Sequence, residues 1–140
     1  MAFKDFTGNI DSTYDSTIYD TQKPTGISIV VTDINGNTSN ATPAMTLGAT
    51  GADSMRFRVN AGAWGGWLAY AGSKNDLDIS AGGDGLKRIW VAYKDYAGNT
   101  DSTYDSTVYD TQAPTGGSIV ITGNQGYTKD NQPDLTLAAT

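Results

Sequence analysis

The chain has no cysteine, no histidine and no glutamate; all 15 of its acidic residues are aspartate. Without cysteine no disulfide can hold the fold, so an apolar core has to, while the absence decides nothing about secretion. Without histidine and cysteine the common nucleophile–base pairs are missing. Two aspartates suffice in principle for glycoside hydrolysis, but nothing sets one pair apart from the rest, and the chain reads as a non-enzyme. No apolar stretch is long enough to span a bilayer, and no signal peptide is visible. The opening Met-Ala reads as an expression start inside a longer protein. Positive charge is thin: 9 Lys and Arg give a net charge of −6 and form no basic stripe, which argues against nucleic acid and anionic membrane surfaces as partners. Aspartate without glutamate suits a chain of turns and strands, because Asp favours turns and Glu favours helices.

What the chain does have is repetition, at an offset of 90 residues. Over residues 4–26 against 94–116, 18 of 23 positions are identical, and Asp11 to Thr17 returns letter for letter as Asp101 to Thr107. The match continues more weakly, with Ser28 to Thr32 facing Ser118 to Thr122 and Pro43 facing Pro133. A long fixed period is the mark of an array of building units.

No stretch has a convincing helical period, whereas period-2 alternation is plentiful. Strands are expected at Ile27 to Thr32, Ala44 to Thr50, Ser54 to Asn60, Trp67 to Tyr70, Asp76 to Ser80, Lys87 to Lys94 and Tyr104 to Tyr109. Turn residues fall between them, at Asn35-Gly36, Gly51 to Asp53, Gly65-Gly66, Gly82 to Gly85 and Gly98-Asn99. The expected core is Met45, Leu47, Phe57, Val59, Leu77, Ile79, Ile89, Val91 and Val108. Seven short strands at this spacing predict an all-β, immunoglobulin-like sandwich. The segments at 20–26 and 110–116 read as joints, since proline cannot donate to a ladder. The expected division is 1–20 as the end of a preceding repeat, 21–112 as a complete repeat and 113–140 as the start of the next.

Met55-Arg56-Phe57, then Trp64-x-x-Trp67-x-x-Tyr70, then Gly83-Asp84-Gly85-Leu86-Lys87, Val91-x-Tyr93-Lys94-Asp95-x-Ala97-Gly98-Asn99 and Asp110 to Thr115 together resemble bacterial immunoglobulin-like repeats. Where that family often carries an acid directly after the second strand, this chain has Gly51, with Asp53 later. The resemblance implies a structural repeat in the extracellular, cell-surface stalk or fibre of a large adhesin-type protein. It also admits a carbohydrate-binding accessory module of a secreted multidomain protein.

Two groups of residues are candidates for a site. Asp95, Asn99, Asp101, Asp105 and Asp110 recur as Asp5, Asn9, Asp11, Asp15 and Asp20. Near a joint, acids from both sides would supply the six to eight oxygens that Ca²⁺ requires; the other reading is turn and linker chemistry. Asp33 to Asn37 also has a calcium-loop look, against a plain hairpin turn. The second group, Trp64, Trp67 and Tyr70, is either a sugar-stacking platform, with a glycan as partner, or packing over a sheet. Trp90 alternates with the inward Ile89 and Val91 and is expected on the opposite face. The partial units at both ends have complementary uncovered edges, so neighbouring repeats, or copies of the chain joined head to tail, are the expected partners.

Overall fold

The computed structural model describes residues 1–123 and 126–140. In chain order the strands are β1 (Ala2–Lys4), β2 (Ile10–Ser12), β3 (Thr25–Val31), β4 (Asn37–Thr38), β5 (Met45–Thr50), β6 (Ser54–Val59), β7 (Leu68–Ala69), β8 (Ser73–Lys74), β9 (Gly85–Lys94), β10 (Thr100–Tyr109), β11 (Ser118–Ile121) and β12 (Leu135–Ala138), with no helix among the described residues. The chain is therefore all-β, as its alternation predicts.

The strands of residues 25–109 form two sheets, ordered β3-β5-β8 and β4-β10-β9-β6-β7. Every pairing is antiparallel except β4 with β10, which is parallel. The pleat turns Ile29, Val31, Met45 and Leu47 of the smaller sheet towards Met55, Phe57, Ile89, Val91, Tyr93 and Tyr109 of the larger, and these form one buried cluster with Ile79. Burying side chains of this size stabilises by about 1.5–3 kcal/mol each before entropy is subtracted. Two polar bonds cross between the sheets. The Tyr93 hydroxyl donates to the Ser28 carbonyl at 2.7 Å, and the Val31 N–H donates to the Asp105 carboxylate at 2.8 Å. Burial pushes the Tyr93 phenol up to about 12.

The core expectation holds for Met45, Leu47, Phe57, Ile79, Ile89 and Val91, with Val59 and Leu77 partly buried against them. It fails at Val108. Thr107, 1% exposed, and Tyr109 point inward, and Val108 is only half-buried. Thr107 can occupy the core because its hydroxyl donates to the Gly36 carbonyl at 3.3 Å. The expected strand at 76–80 is also absent. Pairing goes instead to Ser73–Lys74, and Ile79 is held by a single backbone bond from its N–H to Ala41 O at 2.8 Å. β10 begins at Thr100 rather than Tyr104, because the polar run at 100–103 pairs with β9 throughout. Asn35 and Gly36, both at positive φ (53° and 79°), make the tight turn expected there. The copy of that turn includes Asn124 and Gln125, which lie outside the described residues.

The 90-residue offset reappears in the pairings. Ala2↔Ser12 and Lys4↔Ile10 match Ala92↔Ser102 and Lys94↔Thr100. Ile119↔Leu137 and Ile121↔Leu135 match Ile29↔Leu47 and Val31↔Met45. The surroundings differ sharply. Ile119 and Leu137 are 63% and 72% exposed, where Ile29 and Leu47 are 6% and 5%.

Candidate functional site

Asp95 and Asp110 flank β10 at its two ends, while Asp101 and Asp105 lie within it. At one end, the turn 95–99 closes through Asp95 N–H to Asn99 O and Gly98 N–H to Asp95 O, both 3.1 Å. The Asp95 carboxylate accepts the Asn99 N–H at 2.8 Å and the Asn99 side-chain amide at 3.0 Å. The same amide reaches the carbonyls of Asp20 and Gln22 at 3.1 and 3.2 Å, so the turn grips the incoming joint. Burial opposes the charge on Asp95. The hydrogen bonds from Asn99, Gly98 and Ala97 outweigh it and hold the carboxyl below its ordinary range.

The copy of this turn is built alike. The Asp5 carboxylate accepts from Asn9 Nδ2 at 2.8 Å, from the Thr7 hydroxyl at 2.8 Å and from the Asn9 N–H at 2.9 Å. These bonds, the Asn9 side chain first, lower it to about 2. Thr7 adds a hydroxyl donor where Ala97 has none.

At the other end, Asp110 accepts the Gln112 N–H at 2.9 Å, as Asp20 accepts that of Gln22 at 2.8 Å. Asp84, in the glycine-rich turn before β9, holds the outgoing joint. It accepts from the Thr111 hydroxyl at 2.9 Å and from Gln112 Nε2 at 3.2 Å, and the Thr111 bond is the main cause of its lowered pKa. Asp101 accepts its neighbour Ser102 N–H at 2.8 Å, and Asp105 does the same with Ser106 while also bonding Val31.

Of the residues expected to share a calcium site, Asp95, Asn99 and the main chain of Asp20 are brought together. Asp110 is not, for the 10 residues of β10 separate it from Asp95, a span of roughly 30 Å. Among the described residues, no group of three or more aspartates is placed to hold a metal ion.

The aromatic candidates divide between the two faces of the larger sheet. Tyr70 belongs to the inner side: its hydroxyl accepts the Ala49 N–H at 3.1 Å and its ring meets Tyr93 edge-on at 6.0 Å. Trp64 and Trp67 lie on the outer side. Gly62 N–H bonds Val59 O at 3.0 Å and Gly65 N–H bonds Phe57 O at 2.8 Å, folding the loop back along β6. Both indoles then stack with arginine. Arg56 lies 4.4 Å from the Trp67 ring centre and 5.0 Å from that of Trp64. Arg58 lies 4.8 Å from Trp64 and 4.9 Å from Trp90. Lys94 extends the row at 4.5 Å from Trp67, and Tyr104 at 4.5 Å between ring centres from Trp90. Arg88 follows, 5.9 Å from Tyr104. Each cation–ring contact is worth about 0.5–1 kcal/mol when exposed and about 2 when desolvated.

The sequence alone does not show this alternating row. The sequence places Arg56, Arg58 and Trp90 outward by alternation, but the path that lays Trp64 and Trp67 over them depends on backbone bonds of the loop. Nor are the cations scattered, as their spacing along the chain suggested. Comparison with the profiles of known protein families, with curated proteins and with solved structures finds no match to this chain.

Proposed function

We propose that the chain is a structural, load-bearing segment of an extracellular cell-surface stalk or fibre, built from immunoglobulin-like repeats of 90 residues. The observation that carries this reading is the recurrence of strand register at the sequence offset, coupled to burial. The β11–β12 pair repeats β3–β5 but leaves its apolar face open. Such a face is half of a core, and a neighbouring repeat or a second copy of the chain joined head to tail completes it. The division of the first strands between two sheets, β3 on one and β4 on the other, is the arrangement expected of an immunoglobulin-like sandwich.

The mechanism is mechanical. Tension along the chain enters at β3 and β4 and leaves at the end of β10. β4 and β10 run parallel, so tension at the start of one and the end of the other loads their bonds in shear, together rather than one after another. The bonds concerned are Val108 N–H to Gly36 O at 2.8 Å and Asp110 N–H to Thr38 O at 3.0 Å. Asn99 and Asp84 fix the joints at either end.

Pulling the whole chain by its ends tests this. The expected trace has one dominant unfolding event, releasing about 300 Å of chain for a unit of this length. Val108→Pro removes the N–H that bonds Gly36 and should lower the unfolding force. A chain that extends without a force peak, or a Val108→Pro variant as strong as the parent, would overturn the load-bearing role.

A further inference from the structure

Folding segregates the charges of this chain. All three arginines and Lys94 occupy outward positions of β6 and β9, beside Trp90 and opposite Tyr104. None of the outward positions of β6, β9 and β10 is acidic; on β10 they are Thr100, Ser102, Tyr104, Ser106 and Val108, and the acid nearest the face is the half-buried Asp101, which borders a shallow pocket with Arg56 and Trp64. Four of the nine cations thus share one face, leaving five to offset 15 aspartates elsewhere. Among the described residues the arginines have no carboxylate partner; the salt bridge there is Lys74–Asp76 at 2.7 Å. Nε of Arg56 and of Arg58 is buried without a hydrogen bond. Ring stacking holds these guanidinium groups in place and covers Nε, which leaves the terminal Nη pair as the donors that can meet carboxylate or sulfate oxygens.

We infer that this face binds a linear acidic polysaccharide through arginine forks and Lys94. Charge complementarity carries the choice of partner, and an open sheet face accepts an extended chain. A neutral sugar needs a bare ring to stack on, but Trp64, Trp67 and Trp90 each have two stacking partners already. Single-stranded nucleic acid also binds by stacking bases on open aromatics, so the same rings disfavour it. The net negative charge does not prevent local binding, since screening at physiological salt acts within about 8 Å. This inference is independent of the stalk reading: a stalk needs no such face, and the face needs no stalk.

The test is calorimetric titration of the whole chain with polygalacturonate, heparin, dextran and an oligothymidylate. One or both acidic glycans should bind, more weakly as salt rises, and the pair distinguishes carboxylate from sulfate preference; dextran and the oligonucleotide should not bind. Arg88→Gln with Lys94→Gln should weaken binding by at least about tenfold, while Lys23→Gln with Lys129→Gln, off this face, changes nothing. Arg88→Gln alone, at an exposed position, serves if the double variant fails to fold, and should still weaken binding. Failure of both glycans to bind, equal loss from the off-face pair, or equally tight binding of the oligonucleotide would overturn the proposal.

Discussion

The Asp105 carboxylate accepts the backbone N–H of Val31 at 2.8 Å, so a charged side chain of β10 supplies the partner that β3 lacks along that edge. Val31 is buried while Asp105 is half-buried, so removing the carboxylate strands a donor that lies away from solvent. Asp105→Ala should therefore cost about 1–3 kcal/mol in denaturant unfolding. Asp105→Asn, which keeps an acceptor oxygen, should recover most of the loss.

Core register is tested by contrast. Phe57→Ala should destabilise the chain by about 3–5 kcal/mol and Ile89→Ala by about 2–5 kcal/mol. Val108→Ala, at a half-buried position facing away from the core, should cost less than about 1 kcal/mol. A Val108 effect as large as that of Ile89 would return the last strand to the register its hydrophobicity suggests.

That misreading shows what the sequence conceals. The strands β3, β5, β6 and β9 are legible because their apolar residues alternate and each run ends in turn residues. β10 is not, because its inward residues are Asp101, Thr103, Asp105, Thr107 and Tyr109, and the only aliphatic side chain, Val108, points the other way. Hydrogen bonds to Gly36 and Val31 make those polar positions tolerable, and such bonds are visible only once β3, β4 and β10 are neighbours. At the joints, the Asp–Asn spacing in Asp95 to Asn99 marked the turn. The grip of Asn99 on residues 20–22, across 77 to 79 positions, left no mark. The arginine–tryptophan row was half legible: alternation put Arg56 and Arg58 outside, and the fold of the loop did the rest.

Acid should weaken the fold with a defined sign. Asp95, Asp84 and Asp78 are held below the ordinary carboxylate value of 3.8 in the folded chain. For Asp95, burial works against the charge but hydrogen bonds win; for Asp84 and Asp78, the bonds from Thr111 and Ser80 are the leading causes. As pH falls the unfolded chain therefore takes up protons first, and stability falls with it. The stabilisation is intact above 3.8 and is lost as pH drops through the lower folded values. Melting followed by circular dichroism should be flat near neutrality and decline below about pH 4. Asn99→Ala should melt lower at neutral pH and show a shallower decline in acid.

Metal dependence separates the two readings of the aspartates. The oxygens of Asp95 already accept two bonds from Asn99, and Asp110 sits at the far end of β10. Chelation, or millimolar Ca²⁺, should leave the melting temperature unchanged. An ion present at 100 times its dissociation constant would stabilise by about 2.7 kcal/mol, a shift that could not be missed and would restore a calcium site at the joints.

Head-to-tail pairing predicts concentration-dependent association of the whole chain in light scattering, while residues 21–112 alone stay monomeric. Two monomeric species would remove the pairing from the functional reading.

The letter-for-letter identity of 11–17 with 101–107 has a kinetic consequence. Synthesis delivers the N-terminal copy first, and its side chains make the same demands on β9 as residues 101–107, which pair there in the finished fold. Every neighbouring molecule carries the same duplicate. Refolding at high concentration is then a competition between a strand and its twin, in which exchange between chains yields joined, nearly correctly packed products. Dilution, by slowing capture from other molecules, should favour the single-chain outcome.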